Sequence, residues 1–384
     1  MESETEVGIA GHLETAPAGQ CAESGVALQG QLCIGGVALR IAGNRSVDVI
    51  FDSDHEPFRV EVGSSDIDLR VEWVPDLAPT LGRVLFDSGT TWRLYQCEAG
   101  FQFDFGGPIA AGRPFKRLLV DRRFRRASLH MNARYFADFL HAADPLGYPL
   151  DELLIMHRLT QEKAIELHGC GIVRADGTGN LFVGHSGAGK STTTRLWTAR
   201  EEVEVLSDDR IIVRRAEERS VAEMPGGGAR GAGKQQVLRL RDSSASRSNH
   251  FAQDDMGKRS HFARNDREQK QVPPLRSAKG RNDKGRMRMY GTPWHGEAAF
   301  ASPGSAALSR IFILEHGQGN VLTQLSPSQA VAELFARSFV PFHRHEYVDS
   351  ALEFLQEVVE NVPCYRFAFE PNEAAVERIL EFRD

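Results

Sequence analysis

The chain has 384 residues, of which 41% are hydrophobic and 26% are charged. These fractions are ordinary for a globular protein, and the length allows two domains. The sequence contains no run of about 18 apolar residues, and its acidic start lacks the basic and apolar parts of a secretion signal. We therefore expect a cytoplasmic protein that has no membrane partner. Its five cysteines are odd in number and far apart, which predicts reduced thiols.

The net charge of −6 conceals a strongly basic segment. Residues 226–286 hold 15 Lys or Arg against 6 Asp or Glu, a balance of +9, which leaves −15 for the remainder. The segment lacks apolar periodicity and repeats itself, since "HFAQDD" from His250 returns as "HFARND" from His261. Its composition predicts a disordered, low-complexity insertion between two strands. A nucleic-acid-binding arm is the alternative, but no binding module is recognisable, and we expect no nucleic acid as partner.

The rest of the chain is predicted to form a tail and two units. Residues 1–28 are expected to be a flexible tail. Residues 29–135 alternate short apolar runs with turn residues, which predicts a β-rich, mostly antiparallel domain. Residues 136–384 begin with leucines at helical spacing around Leu150, continue with strands and end in amphipathic helices. This larger unit carries the candidate functional motifs and contains the insertion.

A phosphate-binding loop is predicted in "GHSGAGKS", residues Gly184 to Ser191. In such a loop the glycines let successive backbone N–H groups turn around phosphates, Lys190 reaches the β and γ oxygens, and Ser191 ligates Mg²⁺. The preceding "GNLFVG" predicts a buried strand and the following "STTTRLWTA" a helix, which is the order that the mechanism requires. The predicted nucleotide-binding residues are Gly184, Ser186, Gly187, Ala188, Gly189, Lys190, Ser191 and Thr192.

A second match to the same pattern, Gly228 to Lys234, is not expected to bind nucleotide. It places Gln235 where the metal-binding hydroxyl should be, and neither a strand nor a helix is predicted beside it. It lies within the basic segment, whose glycine-rich composition produces such matches by chance.

Two adjacent carboxylates, Asp208 and Asp209, follow the apolar strand "VEVL" about 18 residues beyond Lys190. Phosphoryl transfer requires positioning, neutralisation of charge and activation of the nucleophile. One carboxylate would hold Mg²⁺ and the other would accept the proton of an attacking hydroxyl. The sequence does not decide the order within the pair, and a pair that only caps an exposed turn is the alternative.

Two further candidates flank these motifs. His168, in "ELHGCG", could neutralise phosphate charge or orient the base if it pairs with a carboxylate, and is otherwise structural. The loop "GTPWHGE" holds Trp294, His295 and Glu297 between glycines and a proline. It could form a second metal or substrate clamp, although surface packing would equally explain Trp294.

The motif order "LHGCGIV", "GHSGAGKSTTTRLW", "VLSDDRIIV", "YGTPWHGE" resembles the catalytic domain of the HPr serine kinase family, whose fold is also similar to phosphoenolpyruvate carboxykinase. The resemblance covers residues 160 to about 340 and implies an α/β P-loop kinase domain preceded by a smaller, mostly antiparallel β domain. The family's catalytic histidine and acidic pair fall on His168, Asp208 and Asp209. Its later metal-binding glutamate falls on Glu297, so the implied metal ligands are Ser191, Asp209 and Glu297.

The resemblance also bears on the acceptor. The β domain is similar to the N-terminal part of HPr-kinase-like proteins found beside peptide-modification genes. The glycine-rich signature through which the bifunctional enzymes recognise their carrier protein does not occur here, so neither HPr nor the reverse phosphorolysis is expected. The acidic remainder of the chain favours a neutral or basic peptide, held by Trp294, His295 and an exposed sheet edge.

The sequence therefore predicts an ATP- and Mg²⁺-dependent kinase that phosphorylates a hydroxyl. The acceptor would be a serine of a peptide or small protein, or a small molecule, and a homo-oligomer is compatible with this prediction. A carboxykinase-like enzyme is one alternative, but it would need a second metal site and an arginine cluster for a dicarboxylate. A nucleotide-binding regulator without catalysis is the other.

Overall fold

The computed structural model describes residues 28–80, 82–106, 113–137, 143–216 and 287–383. The predicted tail up to residue 27, the predicted insertion over 226–286 and the second loop-like motif lie outside the described residues. The two strands on either side of the insertion are direct antiparallel neighbours, with Ile212 opposite Tyr290. The insertion therefore lies in the connection between two paired strands.

The N-terminal part forms an eight-stranded sheet. Its strands are β1 (Leu28–Ile34), β2 (Val37–Gly43), β3 (Ile67–Val74), β4 (Val84–Asp87), β5 (Trp92–Gln96), β6 (Gly100–Phe105), β7 (Lys116–Asp121) and β8 (Arg126–Asn132). Their order in the sheet is β1-β2-β3-β8-β7-β6-β5-β4. β3 runs parallel to both of its neighbours, and the other pairs are antiparallel. Alternate residues along β2 are buried, as expected for a strand that covers a core on one face.

The remaining strands form a second sheet around a closed barrel. They are β9 (Ala164–Arg174), β10 (Gly179–Val183), β11 (Val203–Ser207), β12 (Arg210–Arg215), β13 (Met287–Tyr290), β14 (Ser305–His316), β15 (Val321–Gln324), β16 (Ser338–Phe339) and β17 (Cys364–Phe369). β9, β10, β14, β13 and β12 pair in turn and return to β9, which closes a five-stranded ring. β17 and β15 extend the sheet from β14, and both β11 and β16 pair with β9. Closure leaves the strands of the ring without free edges.

The predicted fold class, an α/β P-loop kinase domain after a smaller β domain, is wrong. An α/β domain joins neighbouring parallel strands through crossover helices. Here the helix after the phosphate loop leads to β11, which pairs antiparallel with β9. Among the described strands of the second sheet, only β10–β14 and β14–β17 are parallel pairs. The described chain is instead β-rich, with a barrel and five short helices.

Five helices pack on these sheets within the described residues: α1 (Leu150–Leu159), α2 (Lys190–Arg200), α3 (Pro327–Phe335), α4 (His345–Asn361) and α5 (Glu373–Glu381). α3 begins with a reciprocal capping box between Ser326 and Gln329, as the serine and glutamine three residues apart predict. Every residue of α1 is buried. None of the described helices is both long and apolar enough to cross a membrane.

The apolar core of the N-terminal sheet extends to the barrel. The cluster that contains the inner residues of this sheet also contains the leucines of α1, Ile212 of β12 and Trp294, while the other buried residues of the barrel form two further clusters. Charged groups cross the same junction: His55 contacts Asp151 of α1 at 2.9 Å, and Arg214 of β12 donates to the Gly35 carbonyl at 2.9 Å. α1 therefore lies between the N-terminal sheet and the strands that carry the motifs.

Candidate functional site

His168, the phosphate loop and the acidic pair lie together around β9. His168 lies on β9, between the phosphate loop that follows β10 and the acidic turn that precedes β12. The backbone N–H of Gly184 donates to the His168 carbonyl at 3.2 Å, and the N–H of Gly169 donates to the Asp209 carbonyl at 3.0 Å. The loop and the acidic turn are thus hydrogen-bonded to adjacent residues of one strand.

The phosphate loop has the backbone that its glycines predict. The strand before it and the helix after it are confirmed as β10 and α2. Gly187 and Gly189 have φ of +79° and +99°, which side-chain-bearing residues rarely adopt. A Cβ atom on Gly189 would lie 2.4 Å from the ring of Phe369. His316 donates from Nε2 to the Gly187 carbonyl at 2.8 Å and so fixes the outer part of the loop.

The first turn of α2 presents unpaired backbone donors. Its first helical hydrogen bond runs from the Thr193 N–H to the Gly189 carbonyl at 2.8 Å. Within the described residues no protein acceptor pairs with the N–H groups of Lys190, Ser191 and Thr192. Free N–H groups at a helix start, together with the helix dipole, form a binding site for an anion.

Lys190 is a buried cation without a carboxylate partner. It is 7% exposed, and its Nζ donates to the carbonyls of Gly184 and His185, both at 3.1 Å. Burial lowers the pKa of Lys190 to about 8. No described carboxylate forms an ion pair with it. An anion beside the loop would supply the missing negative charge, so the residues present fit a nucleotide phosphate.

The carboxylate of Asp208 accepts hydrogen bonds from the loop that follows Trp294. Its side chain is buried, and its two oxygens accept backbone hydrogen bonds from Gly296 (3.0 Å), Ala298 (2.9 Å) and Phe300 (3.3 Å). A Cβ on Gly296 would lie 3.0 Å from the carboxylate, so a side chain there would crowd it. Asp208 therefore stabilises the conformation of this loop.

Asp209 faces the partly exposed side of the site. One carboxylate oxygen lies 2.9 Å from Nε2 of His168, and the other forms an ion pair with Arg210. Burial acts to raise the pKa of Asp209, but the His168 hydrogen bond and the Arg210 charge outweigh it and lower the pKa. Burial also lowers the pKa of His168, so its ring is neutral at neutral pH and donates from Nε2. His168 therefore orients Asp209 rather than carrying a charge.

The side chains of the loop "GTPWHGE" differ in their exposure. Trp294 is 9% exposed and donates from Nε1 to Asp151, so its indole is unavailable as a contact surface. His295 lies 3.4 Å from Asp54 of the N-terminal sheet, and that partner raises the pKa of His295 to about 9. Glu297 is exposed. The described residues contain no group of three or more His, Cys, Asp or Glu arranged for a metal.

Mg²⁺ does not require such a group, since it is commonly bound through one or two carboxylates and the substrate phosphates. Ser191 carries one of the unpaired donors on the first turn of α2, and Asp209 lies close enough to Lys190 for its charge to act to raise the pKa of that lysine. The predicted metal-binding roles of Ser191, Asp209 and Glu297 stay predictions. Cys170, close to the loop, is buried, which raises the pKa of its thiol to about 12 and makes it unreactive.

Sequence reasoning missed the buried charges around Asp209. Arg210 follows the acidic pair directly, and Glu152 and Glu166 contact its guanidinium at 3.1 and 3.5 Å. A usable signal was present: Glu152 stands in the leucine-rich "PLDELLIMHRL" of α1, where a charge is costly unless it is paired.

No family model matches this chain, and the curated proteins contain no match to it. The resemblance to the HPr serine kinase family stays a prediction that depends on the four quoted motifs.

Proposed function

We propose that this protein is an ATP-dependent kinase that transfers the γ-phosphoryl group to a hydroxyl, and that the acceptor is a serine of a peptide or small protein. The observation that carries the proposal is Lys190, a buried cation without a carboxylate partner at a helix start whose N–H groups are free. These features suit a polyphosphate, and the Asp209–His168 pair beside them suits activation of a hydroxyl.

The nucleotide end of the site would be formed by the loop and α2. The N–H groups of Lys190 to Thr192 would bind phosphate oxygens, and the Lys190 ammonium would leave the carbonyls of Gly184 and His185 for the β and γ oxygens. Ser191 would hold Mg²⁺, which neutralises phosphate charge when bound, and Asp209 is left for the acceptor hydroxyl. Glu297 is exposed on a neighbouring loop, and its side-chain carboxylate would be the further ligand of Mg²⁺.

The acceptor end would be formed by Asp209. Its carboxylate takes the proton of the acceptor hydroxyl as the oxygen bonds to the γ-phosphorus and ADP leaves. His168, neutral and hydrogen-bonded to the other face of the carboxylate, keeps Asp209 in place. Asp208 does not take this role, since it is buried and its oxygens accept from backbone N–H groups of the loop after Trp294, whereas the Asp209 side chain is 26% exposed.

A peptide acceptor would be bound by the free edge of the N-terminal sheet. Among the described strands, β4 lies at the end of the strand order and pairs only with β5. It exposes Val84 (45%) and Phe86 (38%), and an edge strand with unpaired backbone groups can add an extended peptide. ATP chemistry and reduced cysteines are in keeping with a location in the cytoplasm.

The experiment is phosphoryl transfer from radiolabelled ATP with Mg²⁺ to serine peptides, free serine and small hydroxyl compounds. We expect a labelled peptide, and we expect Asp209→Asn to abolish labelling while ATP still binds in calorimetry. Labelling of free serine alone would place the protein among small-molecule kinases. Decarboxylation of oxaloacetate, or ATP binding without any transfer, would refute the kinase assignment. Val84→Lys with Phe86→Lys should raise KM for the peptide and leave KM for ATP unchanged.

A further inference from the structure

A buried charged network reaches from Asp209 to the first turn of α1. Arg210 is 9% exposed, and its Nη1 forms an ion pair with Asp209. Its Nε donates to Glu152 at 3.1 Å and lies 3.5 Å from Glu166. Glu152 and Glu166 are 3% and 0% exposed. Through this arginine, the candidate base is connected to α1.

The guanidinium of Arg210 is held by contacts with Glu152 and Phe339. Glu152 binds the inner part of its guanidinium, and the ring of Phe339 lies 4.1 Å from its central carbon. This leaves Nη1 directed at Asp209, as the flat fork of arginine allows and the single ammonium of lysine does not. Asp209 is consequently held at both oxygens, one by His168 and the other by Arg210.

α1 is a rigid support for this arrangement. All of its residues are buried, and Asp151, next to Glu152, binds both His55 of the N-terminal sheet and Trp294. One oxygen of Glu152 and both oxygens of Glu166 have no hydrogen-bond partner among the described residues. Burying these acidic groups costs free energy, burial and the charge of Glu152 raise the pKa of Glu166, and Arg210 is the cation that offsets part of the cost.

We propose that Arg210, anchored by Glu152, is the positioning residue that fixes the Asp209 carboxylate for phosphoryl transfer. The proposal rests on the kinase function proposed above. Neither Arg210 nor Glu152 is expected to touch substrate. They act by preventing rotation of Asp209, and a displacement of about 1 Å in a reacting group can cost about 10²-fold in rate.

The test uses the full chain and three variants. Glu152→Gln removes the anchor, Arg210→Lys keeps the charge but loses the fork, and Arg210→Gln combined with Glu152→Gln removes one charge of each sign from the network. We expect each to lower kcat by about 10–100-fold, the range for partners that orient an active group, with KM for ATP nearly unchanged. A structural defect alone would also lower the apparent kcat at unchanged KM by reducing the active fraction, so kcat is calculated per ATP-binding site titrated by calorimetry and is compared with denaturant unfolding of each variant.

Arg214 supplies the matched control. It lies on the same strand, is buried, and pairs with Glu162 close to the end of α1, but it faces the N-terminal sheet. Arg214→Lys, and Arg214→Gln with Glu162→Gln, should leave kcat near the wild-type value. Arg210 variants whose kcat matches that of their Arg214 counterparts would overturn the proposal.

A crystal structure of Glu152→Gln tests the positioning without any assay of transfer. We expect the 2.9 Å contact between Asp209 and His168 Nε2 to be lost. An unchanged contact would overturn the positioning role even if the wild-type protein is an active kinase. A lost contact in a protein that transfers phosphate to no acceptor would support the positioning and refute the proposed function.

Discussion

Asp208 gives a sharp prediction, because its carboxylate is buried and both of its oxygens are used. One oxygen accepts from the N–H groups of Gly296 and Phe300, and the other accepts from that of Ala298. Asp208→Asn preserves the shape of the side chain but converts one acceptor oxygen into an NH₂ group. At least one backbone N–H then faces a donor instead of an acceptor.

The cost follows from these three hydrogen bonds. The least damaging orientation keeps the amide oxygen toward Gly296 and Phe300 and loses only the bond from Ala298. A hydrogen bond to a charged group contributes about 1.5–3 kcal/mol, and the two bonds that persist weaken when the charge is removed. We therefore expect Asp208→Asn to lower the free energy of unfolding by about 2–4 kcal/mol.

Denaturant unfolding measures this directly, with Asp209→Asn as the matched control. Asp209 is partly exposed, and no described backbone N–H of the loop after Trp294 donates to it, so its replacement should change stability less and turnover more. Asp208→Asn should lose stability and turnover together, since the loop that carries Glu297 is released. An Asp208→Asn protein as stable as wild type, with turnover alone reduced, would refute this reasoning and make Asp208 the base.

Three further predictions concern the loop and the response to pH. Lys190→Ala should weaken Mg-ATP binding in calorimetry because the phosphate cation is lost, whereas Lys234→Ala should not; equal affinities would place the nucleotide elsewhere. Gly189→Ala should lower both melting temperature and ATP affinity, since its φ is +99° and the new Cβ would meet Phe369. Burial lowers the pKa of His157 to about 3 and of His343 to about 4. The unfolded chain therefore binds more protons below about pH 6.5, and the stability from these neutral rings should be complete above that pH and fall toward pH 3. Unfolding of His343→Phe across that window should show a shallower loss; an identical slope would contradict the assignment.

Local structure was predictable where the sequence carries its own short-range signal. The strand and helix around the phosphate loop, and the capping box of α3, depend on residues within a few positions of each other. The barrel was not predictable in this way, because nothing within "VEVLSDDRIIV" states that β11 and β12 both pair antiparallel with β9. Strand direction is decided by the packing of distant segments, and a local strand-loop-helix motif is compatible with more than one sheet.

The candidate site shows the same division. The residue types at His168, Asp208 and Asp209 were predictable from the needs of phosphoryl transfer. Their different surroundings were not, because the Gly296 loop that occupies Asp208 lies almost ninety residues further along the chain. The acidic pair is therefore split by tertiary contacts, with one member facing a loop and the other facing His168.

Charged contacts join the N-terminal part of the chain to α1 and β12, and deleting the N-terminal sheet would break them. Within that part of the chain, His55 contacts Asp151, and the Gly35 carbonyl accepts a hydrogen bond from Arg214. Deleting the sheet would remove these partners together with the apolar cover of α1, and an unpaired buried charge costs about 3–5 kcal/mol. Loss of transfer after such a deletion would report instability as much as lost acceptor binding. Changes at the exposed β4, at the opposite end of the strand order from β1, avoid that ambiguity because they leave the junction intact.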